Sequence, residues 1–271
     1  MMARANLDIS AGRAAFGEDP AAYHDARPPY PEAVYERLVD RMGLGPGTTM
    51  FEIGPGTGLA TARLLALGAD ALIAVEPDAR LAGHLRAALP DPALTILNVT
   101  LEDAELPPSS FDVGAAATSF HWLEQGPALA KVRAVLRPGG WWAMWWNNFG
   151  AEGAPDPFQA ATRHLFAATP RAPSHGRKGG PSFAMDREAR LADLEAAGFT
   201  EAEVDFWPWT IMLETPRLVA LYATFSPIQT LAADARADFL TGLAEIAERD
   251  FGGLVERPYS TVLYTARRPL S

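Results

Sequence analysis

Three glycines at i, i+2 and i+4 (Gly54, Gly56, Gly58) break the stretch Phe51–Ala60, FEIGPGTGLA, just after an apolar run and just before a helical pattern. Glycine alone lets the backbone take left-handed dihedrals and come close to a ligand at once. The helix start behind such a turn offers N–H groups that have no partner inside the helix. The spacing separates this turn from other glycine-rich turns. A Walker loop ends in Gly-Lys-Ser/Thr, whereas Gly58 is followed by Leu59. A dinucleotide fingerprint spaces its glycines G-x-G-x-x-G, and here the third glycine falls one residue early. Glu52, two residues before Gly54, discriminates further. A carboxylate lining the turn repels a pyrophosphate and suits the ammonium of an amino-acid ligand.

Read with Glu52, the turn is E-x-G-x-G-x-G and resembles motif I of the class I S-adenosylmethionine (SAM) methyltransferases. The resemblance implies that Gly54, Pro55, Gly56, Thr57 and Gly58 pass under the methionine part of the cofactor. It also implies an acidic residue at the end of the next strand. Glu76 supplies it, closing LIAVE (Leu72–Glu76) 18 residues after Gly58. In these enzymes that carboxylate takes both ribose hydroxyls, with Pro77 and Leu81 beside it.

Three more stations fit the same family. Y…RPPYP (Tyr23 to Pro31) resembles the segment before the core in small-molecule methyltransferases of the trans-aconitate methyltransferase type, where it helps close the cofactor pocket. On that reading Tyr23 and Arg27 reach the SAM carboxylate and Tyr30 borders the acceptor; a surface tether with a packed Tyr30 is the other reading. TLEDAELPPSSFD (Thr100–Asp112) puts Glu102, Asp103 and Ala104 past the third strand. There a carboxylate can accept from the adenine amino group and a backbone N–H can serve the ring nitrogen. Glu102 and Asp103 differ by one step of register, and an exposed acidic loop is the alternative. ATSFHWLEQ (Ala117–Gln125) brings Thr118 and Ser119 to the methionine amine, and Phe120, His121 and Trp122 to the neighbourhood of the methyl group. His121, at the carboxyl end of a central strand, either packs the pocket wall or acts as a general base on an acceptor oxygen. Asn147 leaves the fifth strand toward the same side. LRPGGWWAM (Leu136–Met144) resembles the loop and strand that follow in the family.

With 271 residues the chain can bury a sizeable core, and 48% hydrophobic with 21% charged residues is ordinary for a globular protein. A net charge of −10 argues against a protein that tracks nucleic-acid phosphates. The absence of cysteine excludes disulfides, thiolate metal sites and a cysteine nucleophile. The histidines have no partners at metal spacing, so no metal is expected. No apolar run approaches the roughly 18 residues of a membrane span, and MMARANLDIS lacks the apolar core of a signal peptide. The expected location is the cytoplasm, and the expected partner is a small-molecule acceptor, with neither nucleic acid nor membrane.

Strands are expected at Thr49–Ile53, Leu72–Val75, Leu94–Val99, Val113–Ala117 and Gly140–Trp146, with helices at Gly58–Gly68 and from Asp78 on. Alternation of this kind means βαβ units and a parallel sheet. Residues 1–22 carry no pattern and read as a partly mobile arm, and a helix follows Pro31. Beyond strand five the expectations are a helix over 156–169, a flexible basic loop over 170–182 that reads first as an ordinary solvated loop and second as bringing Arg171, Arg177 and Lys178 to an anionic acceptor, and a helix at Asp186–Ala197. A strand at Ala202–Trp209, helices near 215–225 and 231–249, and a final strand at Ser260–Arg267 complete the list. The segments 149–182 and 210–250 exceed ordinary connections and read as a cap that holds acceptor specificity. The family fold is a Rossmann-like, seven-stranded, mostly parallel sheet of order 3-2-1-4-5-7-6 with the last strand antiparallel and helices on both faces. Residues 23–147 form the cofactor core of one methyltransferase domain spanning 1–271. The function implied is methyl transfer from SAM to a small molecule at a carboxylate or hydroxyl oxygen, leaving S-adenosylhomocysteine. The rivals are a SAM-binding protein that catalyses a rearrangement or senses its ligand, and an NAD-dependent oxidoreductase. Glu52 and the short glycine spacing disfavour the oxidoreductase.

Overall fold

The computed structural model describes residues 5–150 and 156–270. Two helices, α1 (Ile9–Ala15) and α2 (Pro20–Ala26), stand where a mobile arm is expected from the sequence. Each starts on an aspartate whose carboxylate accepts from a backbone N–H three residues on: Asp8 from Ala11 at 2.8 Å, Asp19 from Ala22 at 3.0 Å. These caps satisfy donors the short helices leave open, and Pro20 suits the first helical position. Helix α3 (Glu32–Met42) follows the proline run, buries Val34, Tyr35 and Leu38, and stops at Gly43 in a left-handed conformation.

The alternating core comes next: β1 (Thr48–Ile53), α4 (Leu59–Ala66), β2 (Ala69–Val75), α5 (Ala79–Ala88), β3 (Leu94–Leu97), β4 (Phe111–Ala117), α6 (Gln125–Val135) and β5 (Leu136–Phe149). Then follow α7 (Pro157–Thr162), α8 (Arg187–Ala196), β6 (Thr200–Glu214), α9 (Thr215–Ala223), α10 (Ser226–Gln229), α11 (Ala233–Phe251) and β7 (Leu254–Arg267). The strands join in one sheet of order β3-β2-β1-β4-β5-β7-β6. Strands β1 to β5 pair in parallel, and β7 runs antiparallel to both β5 and β6. Fold class and strand order are those implied by the resemblance.

Both faces of the sheet are covered. Met50, Leu72 and Trp145 pack with Leu38, Leu64 and Leu85 of α3, α4 and α5 on one side. Phe51, Trp142 and Met144 pack with Leu129 and Val132 of α6 and Leu194 of α8 on the other. Successive side chains of a strand point to opposite faces, so a doubly covered strand must be apolar at every position. That is why WWAMWW in β5 reads as one unbroken run.

The last three strands overhang the sheet. β5 ends at Phe149 opposite Tyr259, but β6 and β7 continue as a two-stranded ribbon, Thr210–Glu214 against Leu254–Pro258. Pro208 sits within β6 without breaking it because β6 is an edge strand, where one missing N–H donor costs no ladder bond. The ribbon carries a second core: Leu213 and Val255 pack with Phe158 of α7, Leu218 and Tyr222 of α9, and Phe239 and Leu243 of α11. This body fills most of the two segments expected to form a cap; residues 151–155 of the first lie outside the described residues. The helix expected over 156–169 ends at Thr162, and a 3₁₀ turn takes Leu165–Ala168.

The basic stretch 170–182 is tied down rather than free. Leu7 N–H donates to the Arg171 carbonyl and Arg171 N–H to the Ala5 carbonyl, both at 2.8 Å. Among the described residues no helix is long and apolar enough to cross a membrane.

Candidate functional site

A cavity of about 1570 Å³ opens at the carboxyl ends of β1, β2, β4 and β5 and is roofed by α1, α2 and the cap. Ordinary small-molecule pockets hold roughly 300–1,000 Å³, so this one has room for two ligands side by side. Its floor is the glycine turn, with Gly54, Gly56 and Gly58 at φ of 64°, 60° and 91°. The three glycines are required for different reasons. A Cβ at Gly54 would fall 2.6 Å from Ser119 Cβ, and one at Gly58 would fall 2.5 Å from Leu85 Cδ1. A Cβ at Gly56 meets nothing within 4 Å; its missing side chain is cavity space. Gly58 therefore faces α5 rather than the cavity.

Glu52 does not line the turn, contrary to expectation. It lies fully buried beneath it, where Oε2 accepts from the Thr61 hydroxyl at 2.7 Å. Its Oε1 has no partner among the described residues, and burial pushes its carboxyl up to about 7. Thr61 lies in the first turn of α4, so Glu52 braces the glycine turn against the helix and lies outside the cavity lining.

Glu76 ends β2 on the cavity wall. Its Oε2 accepts from Gly56 N–H at 3.0 Å and its Oε1 from Asp78 N–H at 2.9 Å. Each oxygen keeps a lone pair for a further donor. Burial raises this carboxyl too, to about 7, against the two backbone N–H bonds that lower it. Pro55, Thr57, Pro77 and Leu81 border the same end. Of the two acidic candidates further on, Glu102 lines the cavity and Asp103 does not. The Asp103 carboxylate accepts from the Thr100 hydroxyl at 2.9 Å, closing its own turn. Ala104 is buried, and its N–H donates to the Thr100 carbonyl at 3.0 Å, so that N–H is not presented to a ligand.

At the end of β4, Thr118 holds a φ of 55°, a left-handed conformation that a β-branched residue rarely adopts. Its hydroxyl meets the Tyr30 hydroxyl at 2.8 Å, fixing Tyr30 on the cavity wall. The Ser119 hydroxyl donates to the Ile53 carbonyl and so ties β4 to the glycine turn. Phe120 turns away from the cavity, wholly buried against Trp142. Trp122 does line it, edge-on to Phe16 of the N-terminal segment. Asn147 lines it as well, but its amide donates to the Pro29 carbonyl at 3.2 Å and accepts from the Thr261 hydroxyl at 2.6 Å.

His121 is buried in the wall between these stations. Its Nδ1 lies 3.0 Å from the indole Nε1–H of Trp146, which donates to it. Burial, with the nearby Arg27 charge second, lowers the ring to about 3. Such an imidazole is neutral near pH 7, and its basic nitrogen Nδ1 already accepts from the indole, which disfavours the general-base reading. Trp146 is the residue that sequence reasoning missed. Its only signal is its place as the last tryptophan of the β5 run, on the same face as Trp142.

Arg27 stands over the rings of Tyr23 and Phe225, 4.8 Å from each centroid, and donates to the Thr224 carbonyl at 3.2 Å. Its buried Nε has no partner, and no carboxylate pairs with it among the described residues. A second wall cation, Arg257, is already neutralised by Asp156 at 3.0 Å and framed by Phe149 and Tyr222. Neither residue of that pair is evident from the sequence, because 101 positions separate them. Arg171 turns its guanidinium inward to the His175 and Gly176 carbonyls, and neither Arg177 nor Lys178 reaches the cavity. These three side chains therefore do not line the cavity, and nothing in its wall carries the second reading of the loop, contact with an anionic acceptor.

Residues 51–144 match a family described as a methyltransferase domain. An uncharacterized methyltransferase of Mycobacterium tuberculosis (strain ATCC 25618 / H37Rv) is 31% identical over 171 residues, 55% of this chain and 68% of the relative. An uncharacterized methyltransferase of Schizosaccharomyces pombe is 27% identical over 234 residues, 85% of this chain and 86% of the relative. Among solved structures, a type II methyltransferase candidate from Anaeromyxobacter dehalogenans superposes with a TM-score of 0.61 at 22% identity, over 90% of this chain and 99% of that one. A Haemonchus contortus phosphoethanolamine N-methyltransferase, solved with S-adenosylhomocysteine, gives 0.56 at 15% identity over 93% of this chain and 57% of that one. At these identities the two structures share the fold with this chain.

Proposed function

The chain belongs to the SAM-dependent methyltransferase family, and from that premise we propose that it moves a methyl group from SAM to an oxygen of a small molecule. The observation that carries this reading is a single cavity with two differently built ends. One end has an acid, a bare glycine and a left-handed turn. The other is walled by cap aromatics (Phe149, Tyr222, Phe225) and by the ring of His121.

The residues of the first end suit the cofactor. The free lone pairs of Glu76 would accept from two ribose hydroxyls, and the space above Gly56 would pass the methionine chain. Arg27, with an unpartnered Nε and no carboxylate, would take the one anionic group of that ligand, beside Tyr23. Glu102 would accept from the adenine amine. The cofactor supplies a methyl group already activated on a sulfonium, so the protein has to orient the acceptor and exclude water, which can supply most of the acceleration. The buried aromatic walls and the roof of α1, α2 and the cap do both. The second end, walled by cap aromatics, favours a small molecule, in keeping with the trans-aconitate methyltransferase type that the Tyr23–Pro31 segment resembles. A net charge of −10 disfavours a nucleic-acid acceptor.

The test is incubation with methyl-labelled SAM and a panel of small carboxylic acids, phenols, alcohols and amines, reading S-adenosylhomocysteine formed and label transferred. Label on oxygen of one class supports the reading; label only on nitrogen or carbon, or on macromolecules, overturns it.

A further inference from the structure

We propose that Trp146 fixes His121 as a hydrogen-bond donor into the acceptor end of the cavity, so that the enzyme takes its acceptor already ionised, as a carboxylate. The proposal rests on the methyltransferase reading above and deepens it.

The inference follows from which atoms can donate. An indole N–H is a donor and nothing else. With Trp146 Nε1–H directed at His121 Nδ1 across 3.0 Å, that nitrogen must carry its lone pair. The proton of the neutral ring then sits on Nε2. A ring protonated on both nitrogens would set N–H against N–H, and a flipped ring would set carbon there. Nε2 has no partner among the described residues, and the ring lines the cavity.

Trp146 is itself immobile: 3% exposed, edge-on to Phe183 at 5.6 Å and to Tyr264 at 6.3 Å. His121 is held between Trp122 at 5.3 Å and Phe183 at 6.0 Å. The charge acting on this ring is the Arg27 guanidinium, and no carboxylate among the described residues pairs with either. The acceptor therefore meets an N–H donor in a wall of low polarity, with no carboxylate among the described residues paired to that ring, while Arg27 is taken up by the cofactor's own carboxylate. A donor so placed suits an oxygen that only accepts; a hydroxyl oxygen accepts as well, but its proton, or an ammonium's, finds no acceptor on this ring.

The reaction balances without a base. A carboxylate oxygen forms the new bond to the methyl carbon as the methyl–sulfur bond breaks, and that electron pair stays on sulfur. Anion and sulfonium become neutral ester and neutral thioether, and no proton moves. Trp146 acts through His121 and is a positioning residue.

Two measurements test this. Proton–nitrogen correlation spectra of histidine-labelled protein should show the His121 ring protonated on Nε2 alone, unchanged between pH 8 and pH 5.5. In Trp146→Phe the same ring should mix tautomers. Calorimetry with S-adenosylhomocysteine present should show benzoate binding to the wild type and benzyl alcohol binding at least tenfold more weakly. His121→Phe, checked for an unchanged melting midpoint, should lose about tenfold or more in benzoate affinity. A wild-type ring protonated on Nδ1 or titrating in that range, no benzoate binding, or benzoate binding unchanged in His121→Phe would each overturn the proposal. Failure of S-adenosylhomocysteine itself to bind would instead strike the methyltransferase reading.

Discussion

Two residues under the cofactor end make opposite demands on their surroundings. Gly56 holds a φ of 60°, and a Cβ there would point into open cavity. Gly56→Val should therefore abolish SAM binding in a calorimetric titration while circular dichroism shows the sheet intact; normal binding would mean the turn is misassigned. Glu52 is buried with one oxygen unpaired, and its carboxyl is raised from 4.5 to about 7. An acid raised on folding contributes stability that is full below its unfolded value and is lost as pH rises through its folded one. Resistance to denaturant should therefore fall between about pH 5 and pH 8, and Glu52→Gln, which keeps the Thr61 bond, should flatten the fall by up to roughly 3 kcal/mol. A pH profile identical in the variant would contradict this. What the sequence could show of these residues depended on distance. The glycine turn and Glu76 are local signals, an acid after one strand and small residues after another. The burial of Glu52 depends on Thr61 folding back over it, and the tautomer of His121 depends on a tryptophan of the next strand, 25 residues on. Neither relation has a periodicity to read.

At the scale of elements, the alternating core was legible because covered strands and amphipathic helices leave patterns of period 2 and 3.6. Where the pattern thins, the reading thinned with it. Helix α6 opens on Gln125, Gly126 and Pro127 and buries a small Ala128 beside Leu129, Val132 and Val135, so its apolar face is faint at the start. β6, expected at Ala202–Trp209, runs on to Glu214 as half of the ribbon with β7, where the apolar pattern serves the cap core rather than the sheet. The N-terminal helices were missed despite Asp-x-x-Ala caps at Asp8 and Asp19, a signal that was readable. They are working parts of the site: Phe16 packs on Trp122, and Leu7 joins Trp122 and Ala172 in a small cluster. Deleting residues 1–18 should leave the sheet folded, since none of residues 5–18 packs in its two cores. The same deletion should open the roof and raise the rate of SAM release, about tenfold or more by stopped-flow fluorescence of the cavity tryptophans. An unchanged release rate would show that the arm is only a tether.

For the whole molecule, three strands longer than the sheet needs carry a second core out beyond it, and the cavity lies where the two bodies meet. The sheet end is fixed by motif chemistry and was legible; the cap end is assembled from Asp156, Tyr222 and Arg257, far apart in the chain, and was not. The central claim is that the sheet end holds SAM through Glu76, and calorimetric titration of SAM into the wild type and Glu76→Ala tests it most directly. One SAM should bind per wild-type chain, and the variant, with its melting midpoint within a few degrees, should bind more weakly by about 2–3 kcal/mol, the cost of removing a buried charged acceptor. Equal affinity in the two proteins, or no SAM bound by the wild type, would contradict it.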